Sequence, residues 1–338
     1  LLGTPAIQLH FSKKSMKAFF PLPFLLLGML APVGAQDTAT SPIVGYSTIT
    51  VPGNGALTAL SVTFNKPVEF ASTATSFSAT GLTCTSATWT TSQWVGKLAC
   101  IENAAGAEEA FLITANTATG LTLTSSFSLN ARYAANAKFT IKSAHTVGSL
   151  FGTTNAEVVF QTGDSTTADV LYLWDGAQYV SYYHNGTIWR RSNSLNTAAN
   201  DVVFPDDGFF VLRRAASSLA LTFSGEIPQK AQSTTIPGGA QTTVASRFPV
   251  DTTISQMGFQ SLTGWLNGTS STGDRVYLWE NNSYTVFWWN GTNWRKSTSL
   301  NNADTSVIPA NSFMFVVRES AGAAAGAAAV HSLPYSIN

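Results

Sequence analysis

Among the 338 residues there are only two cysteines, Cys84 and Cys100, and only four histidines. Charged side chains make up 11% of the chain. Each shortage excludes something. Two cysteines without further ligands nearby do not make a structural zinc site. His145, His184 and His331 lie far apart and show no His-Glu-x-x-His spacing. A Gly-x-Ser-x-Gly elbow is absent, as are a Walker loop and a Gly-rich dinucleotide fingerprint. No basic block occurs, and all 18 acidic residues follow Ala35, whereas three of the 18 basic residues precede it. The main part is thus mildly acidic, which excludes nucleic acid as a partner. One apolar run near the start apart, no segment approaches the ~20 residues of a membrane-spanning helix. No metal and no cofactor is expected, and the chain is not expected to be an enzyme.

What is present begins with a leader. Lys13, Lys14 and Lys17 introduce an apolar run from Ala18 to Ala31, interrupted by Pro21, Pro23 and Gly28. It ends in the small-residue stretch Val33-Gly34-Ala35. This pattern predicts a secretory signal peptide over 16–35, cleaved after Ala35. Residues 1–15 precede Met16 and are read as upstream text outside the natural chain. The expected location is therefore exported: periplasm, outer surface or extracellular. Export permits a disulfide. Cys84 and Cys100 flank the turn-like Thr90-Thr-Ser-Gln93, and a hairpin centred near Ser92 would make them cross-strand neighbours. A Cys84–Cys100 bridge is expected, stabilising by roughly 3 kcal/mol.

Short β-branched and aromatic runs, broken by Gly, Asn, Asp and Pro, predict an all-β chain. The expected architecture is a multi-module antiparallel β sandwich or barrel. Asp169-Val-Leu-Tyr-Leu-Trp174 returns as Asp274-Arg-Val-Tyr-Leu-Trp279, and Gly208-Phe-Phe-Val-Leu-Arg213 returns as Phe313-Met-Phe-Val-Val-Arg318. The offset of 105 holds without a gap from Asp169 to Arg213. One β unit is thus expected twice. The organisation reads as a linker and first β hairpin (36–70), an inserted small β module (71–142) and copy one (143–217). Bridging strands (218–250), copy two (251–320) and an Ala/Gly-rich tail (321–338) complete it.

Asn185-Gly186 and Asn290-Gly291 each sit between aromatic-rich strands. Asn-Gly favours a two-residue type I′ turn. That register sets Tyr182 opposite Trp189 and Phe287 opposite Trp294, and period-two alternation then sorts the faces. Trp174, Tyr182, Trp189, Trp279, Phe287 and Trp294 are the expected structural core. Tyr179, Tyr183 and Arg190, with Tyr284, Trp288 and Arg295, form the opposite faces and are the candidate ligand-binding residues. Arg beside aromatic rings is either a cation–π stack or a platform for a sugar or protein. Asp169 and Asp274 read as turn or cap residues, and Asp206-Asp207 as a solvated turn.

Thr88-Trp-Thr-Thr-Ser-Gln-Trp-Val-Gly96, Ile113-Thr-Ala-Asn-Thr-Ala-Thr-Gly-Leu-Thr-Leu123, His145-Thr-Val-Gly-Ser-Leu-Phe151 and the two motifs of copy one occur in order. This combination resembles an uncharacterised exported, β-rich paralogous family known mainly from Verrucomicrobia-type bacteria. The likeness runs from about Ile43 to Ser320. It implies export and a β fold, and transfers no activity. The leading expectation is a non-enzymatic structural or cell-surface β protein. Two alternatives stand beside it. One is a carbohydrate-binding or adhesion protein with a glycan or envelope protein as partner. The other is a subunit of an extracellular assembly, with the oligomeric state open.

Overall fold

The computed structural model describes residues 42–319 and 327–336. The leader, the upstream segment and the first part of the Ala/Gly-rich stretch lie outside them. The fold is all-β, built from antiparallel sheets. Among the described residues, no helix is long and apolar enough to cross a membrane.

Three sheets carry the architecture. A six-stranded sheet runs in the order Ser194–Thr197, Trp189–Arg191, Tyr179–His184, Val170–Trp174, Gly208–Arg213, Ala56–Ser61. A five-stranded sheet runs Gln241–Ala245, Phe313–Val317, Arg275–Glu280, Ser283–Trp289, Trp294–Lys296. A nine-stranded sheet holds the inserted module, Val68–Thr73 through Lys138–Lys142, and gains Gln232–Thr235 and Ala328–His331.

The six- and five-stranded sheets each bury one face under a second, smaller layer, as two-layer β domains do. For the first, that layer is Val44–Val51 paired with Leu219–Glu226. Leu171, Leu173, Tyr182, Trp189, Phe209 and Val211 meet Val51, Leu221 and Phe223 there. For the second, it is Gln232–Thr235 paired with Ala328–His331. Val276, Leu278, Phe287, Trp294, Met314 and Val316 meet Ile236, Ala327 and Ala329. Both central tryptophans are fully buried. Their indole nitrogens are satisfied, Trp189 by the Gly152 carbonyl at 2.7 Å and Trp294 by Gln260 at 3.3 Å.

Two module boundaries change. Val44–Val51 and Ala56–Ser61 do not pair with one another, so these two strands form no hairpin among the described residues of 36–70. The Pro52–Gly55 turn instead lifts the chain from one layer to the other, because both strands need an apolar face against the same core. The segment read as a tail contains the strand Ala328–His331, which completes the second sandwich. Small alanines suit it, since it lies against the bulky Phe259 and Phe287 core.

The inserted module forms its own core around Trp89, Trp94, Phe111 and Phe139. Asn116 holds its Trp-rich loop, accepting from the Trp94 amide at 2.8 Å and donating to the Thr90 carbonyl at 2.9 Å. This loop replaces the expected hairpin about Ser92, and the disulfide fails with it. Cys84 and Cys100 are both buried free thiols. Cys84 follows Gly81–Thr83, and two strands, Gly120–Leu123 and Glu108–Asn116, separate that strand from Leu98–Glu102, which carries Cys100. Three strand spacings put the two strands roughly 14 Å apart. Cys84 instead lies 3.4 Å from the Ser72 hydroxyl, and burial pushes the Cys100 thiol up.

The module is tied to the second sandwich at two buried glutamates, which pair with bases of the module and meet Thr235 and Gln232 of the sandwich. Glu109 is buried, takes Arg132 as its ion-pair partner and accepts from the Tyr133 hydroxyl at 2.7 Å and from Thr235. Glu108 pairs with Lys142 at 3.2 Å and sits opposite Gln232 in a short parallel contact.

Candidate functional site

Alternation sorts the strands as expected. Tyr182, Trp189, Phe287 and Trp294 face the two cores. The register differs from the type I′ reading. Trp189 lies opposite His184 and Trp294 opposite Trp289, with Tyr183 opposite Arg190 and Trp288 opposite Arg295. Asn185 Oδ1 accepts the amides of Thr187 and Ile188, both at 2.9 Å, and Asn290 Oδ1 repeats this on Thr292 and Asn293. Within these two connections, only Gly186 and Gly291 take positive φ. The connection is thus an Asx-closed four-residue turn. It slips the pairing by two residues, which leaves every side chain on its expected face.

Trp174 and Trp279 lie outside both sandwich cores. They belong to a third apolar cluster, where the outer faces of the six- and five-stranded sheets pack together. Its contacts exchange across the two sheets. Trp174 meets Phe315 at 6.1 Å, and Phe210 meets Trp279 at 5.8 Å, both edge-on. The backbone repeats the exchange: the Ser61 amide donates to the Asn311 carbonyl at 2.7 Å and the Ala245 amide to the Asp206 carbonyl at 2.9 Å. The seam thus has the reciprocal form of a two-fold interface. One pair breaks the equality. Gly208 and Phe313 stand at matching positions, and the Phe313 ring occupies the space a side chain at 208 would fill.

The seam decides the fate of the candidate ligand-binding residues. Tyr179 packs on Phe210 and Phe315 at 5.5 and 5.9 Å, and burial pushes its phenol well up. Tyr284 is partly exposed but lies 4.8 Å from Trp279 and 6.1 Å from Phe315. Trp288 is only 7% exposed. Arg275 and Arg295 flank it in register, so it is no open stacking platform. Tyr183 and Arg190 are half-buried. Arg190 and Arg295 each donate Nη1 to a backbone carbonyl five residues on, that of Leu195 in the edge strand and that of Leu300. They clasp the sheet edges, and the ring they were expected to stack on is not their partner. Instead Arg191 lies over the Tyr182 ring, at 5.8 Å. The six candidates therefore form no single open site.

Sequence reasoning missed the charged groups. Asp169 is fully buried and pairs with Arg213, while accepting from the amides of Gln161 and Arg214, each at 2.7 Å. Asp274 repeats this with Arg318 at 3.4 Å and the amides of Leu266 and Glu319 at 2.9 and 2.8 Å. Arg318 is 1% exposed and also donates to the carbonyls of Ile236, Thr263 and Gly264. These aspartates are not turn caps. A signal existed: an acid and a base stand 44 residues apart in both halves.

Asp206 and Asp207 are half-buried in the seam rather than in a solvated turn. Thr243 donates to Asp207 at 3.4 Å. Lost solvation, then the neighbouring Asp206, push the Asp207 carboxyl up to about 8. The histidines hold structure together. His145 Nε2 bonds the Phe64 carbonyl at 3.0 Å, the Gly186 amide donates to His184 Nδ1 at 3.2 Å, and His331 Nδ1 donates to the Met257 carbonyl at 2.8 Å. Among the described residues, no group of three or more His, Cys, Asp or Glu side chains is placed to hold a metal ion.

No protein-family model, curated protein or solved structure matches the chain.

Proposed function

We propose that this chain is an exported, non-enzymatic β protein of the cell surface, envelope or surrounding matrix, built from two copies of one unit and acting through its folded surfaces. The reading rests on the reciprocal aromatic seam. The residues that make the sequence conspicuous, Trp174, Tyr179, Phe210, Trp279, Tyr284 and Phe315, pack the two halves against each other. The buried acid–base pairs and the three histidines do the same kind of work locally. The leader motif supports export, and the resemblance to an exported β family points the same way.

The test has two arms. Expressed with its leader in a Gram-negative host, the chain is expected in the envelope or medium, shortened by cleavage after Ala35 and accessible to added protease on intact cells. A panel of polysaccharides, esters and peptides is expected to give no turnover by the purified protein. Turnover of any of these, or retention of the unprocessed chain in the cytoplasm, would overturn the proposal.

Assembly by edge pairing receives less support. The edge strand Ser194–Thr197 carries a bulge where Arg190 and Arg191 meet it, and a bulge turns an edge away from flat pairing.

A further inference from the structure

Beside that bulge lies a depression of about 220 Å³, lined by Arg191, Ser194, Asn196, Thr197, Ala198 and Asp201. Five of those six residues present polar side chains. Asp201 accepts from Arg191 Nε at 2.6 Å, which fixes the plane of the guanidinium. The Tyr182 ring supports it from below. With one edge held, 44% of the arginine side chain still faces solvent. A planar guanidinium presents paired donors that match a carboxylate, and a second carboxylate on Nε is what orients such a fork. Around it stand two hydroxyls and an amide, suited to sugar hydroxyls.

We propose that this depression binds an acidic saccharide, with Arg191 taking the carboxylate of a uronic acid residue and Ser194, Asn196 and Thr197 its hydroxyls. The proposal does not depend on the sheet faces discussed above. The chain also supplies an internal control. The positions 105 residues on hold Lys296 and Ser306 in place of Arg191 and Asp201. An ammonium lacks the fork, and serine cannot hold it in plane. The depression is therefore assigned to the first half alone.

The test is titration calorimetry of the intact protein with a tetrasaccharide containing glucuronate and with a neutral glucose tetrasaccharide of equal length. The acidic sugar is expected to bind at least about tenfold more tightly and to weaken as salt is raised. Arg191→Lys and Asp201→Ser, which copy the second half, are expected each to lose about tenfold or more, with thermal unfolding unchanged. Lys296→Ala is expected to change nothing. A sulfated tetrasaccharide tests whether the fork accepts any anion, and tighter binding of it than of the uronate would overturn the assignment to carboxylate. No binding of the uronate at millimolar concentration, equal binding of the neutral sugar, or full binding by Arg191→Lys would overturn the site. None of these results bears on export or turnover, so the two proposals fail separately.

Discussion

Replacing Gly208 with alanine adds one methyl group in the middle of the seam. The backbone at 208 tolerates it, because its φ lies outside the left-handed region. The space does not. An added Cβ would lie 1.9 Å from Phe313 Cγ and 2.2 Å from Phe313 Cβ. Those atoms are the stem of the ring, so no rotation of a flexible end relieves the contact. Phe313 is itself buried against Phe210 at 5.0 Å and Phe315 at 5.4 Å. The two sheets must part locally, and overpacking of this kind costs about 1–3 kcal/mol. In a chain of this size, each kcal/mol lowers the melting temperature by about 2–4 °C. Phe313→Ala alone is expected to cost about 3–5 kcal/mol through the cavity it leaves. In the double variant the new methyl enters that cavity, so its loss should fall short of the sum by about 1 kcal/mol or more. Urea unfolding of the four proteins measures this cycle. A Gly208→Ala protein within about 0.5 kcal/mol of the parent, or strict additivity in the cycle, would refute the packing argument.

Three further outcomes follow from buried groups. Asp274→Asn leaves the Arg318 guanidinium buried without its counter-charge and is expected to cost about 3–5 kcal/mol, read from the urea midpoint. Burial holds His145 down to about 4 and His331 to about 3, both below the ordinary 6.5, so the unfolded chain takes up protons that the folded chain refuses. Their stabilisation is full above pH 6.5 and falls as pH drops through 6.5 toward 4, by about 1.4 kcal/mol per pH unit for each. Comparing urea midpoints at pH 7 and pH 5, a His145→Gln protein should lose less than the parent; an identical loss would remove His145 from the account. Finally, both thiols should resist alkylation in the native protein and both should react in denaturant, with dithiothreitol leaving the melting temperature unchanged. A mass two hydrogens lighter without reductant would restore the disulfide.

The all-β class and the burial of Trp189, Trp294, Tyr182 and Phe287 were legible because strand alternation has a period of two and survives a two-residue slip. The register itself was not legible. Asn-Gly serves both a type I′ turn and an Asx-closed longer one, and the choice depends on what the flanking aromatics pack against. Long-range partners escaped for a similar reason. Nothing local to Val44–Val51 reveals that it pairs with Leu219–Glu226, or that two strands separate the one before Cys84 from the one that carries Cys100. The outer faces were misjudged because a sheet covered by its own second copy carries the same aromatic text as a sheet that offers a platform. The matched spacing of Asp169–Arg213 and Asp274–Arg318 was the one long-range signal that could have been read.

The Gly208–Phe313 contact says something about joining two copies end to end. In a homodimer every position is occupied by the same residue on both sides of the axis. A site there cannot be an empty socket on one partner and a ring on the other, since a single codon specifies both. Within one polypeptide the two positions are inherited separately, and the seam here has used that freedom where it matters most, close to its centre. The tether also keeps the halves at a fixed effective concentration, so dilution cannot part them. A joined pair is therefore free to become unequal, and Arg191 and Asp201, facing Lys296 and Ser306 at the matching positions, show the same liberty exercised on the surface.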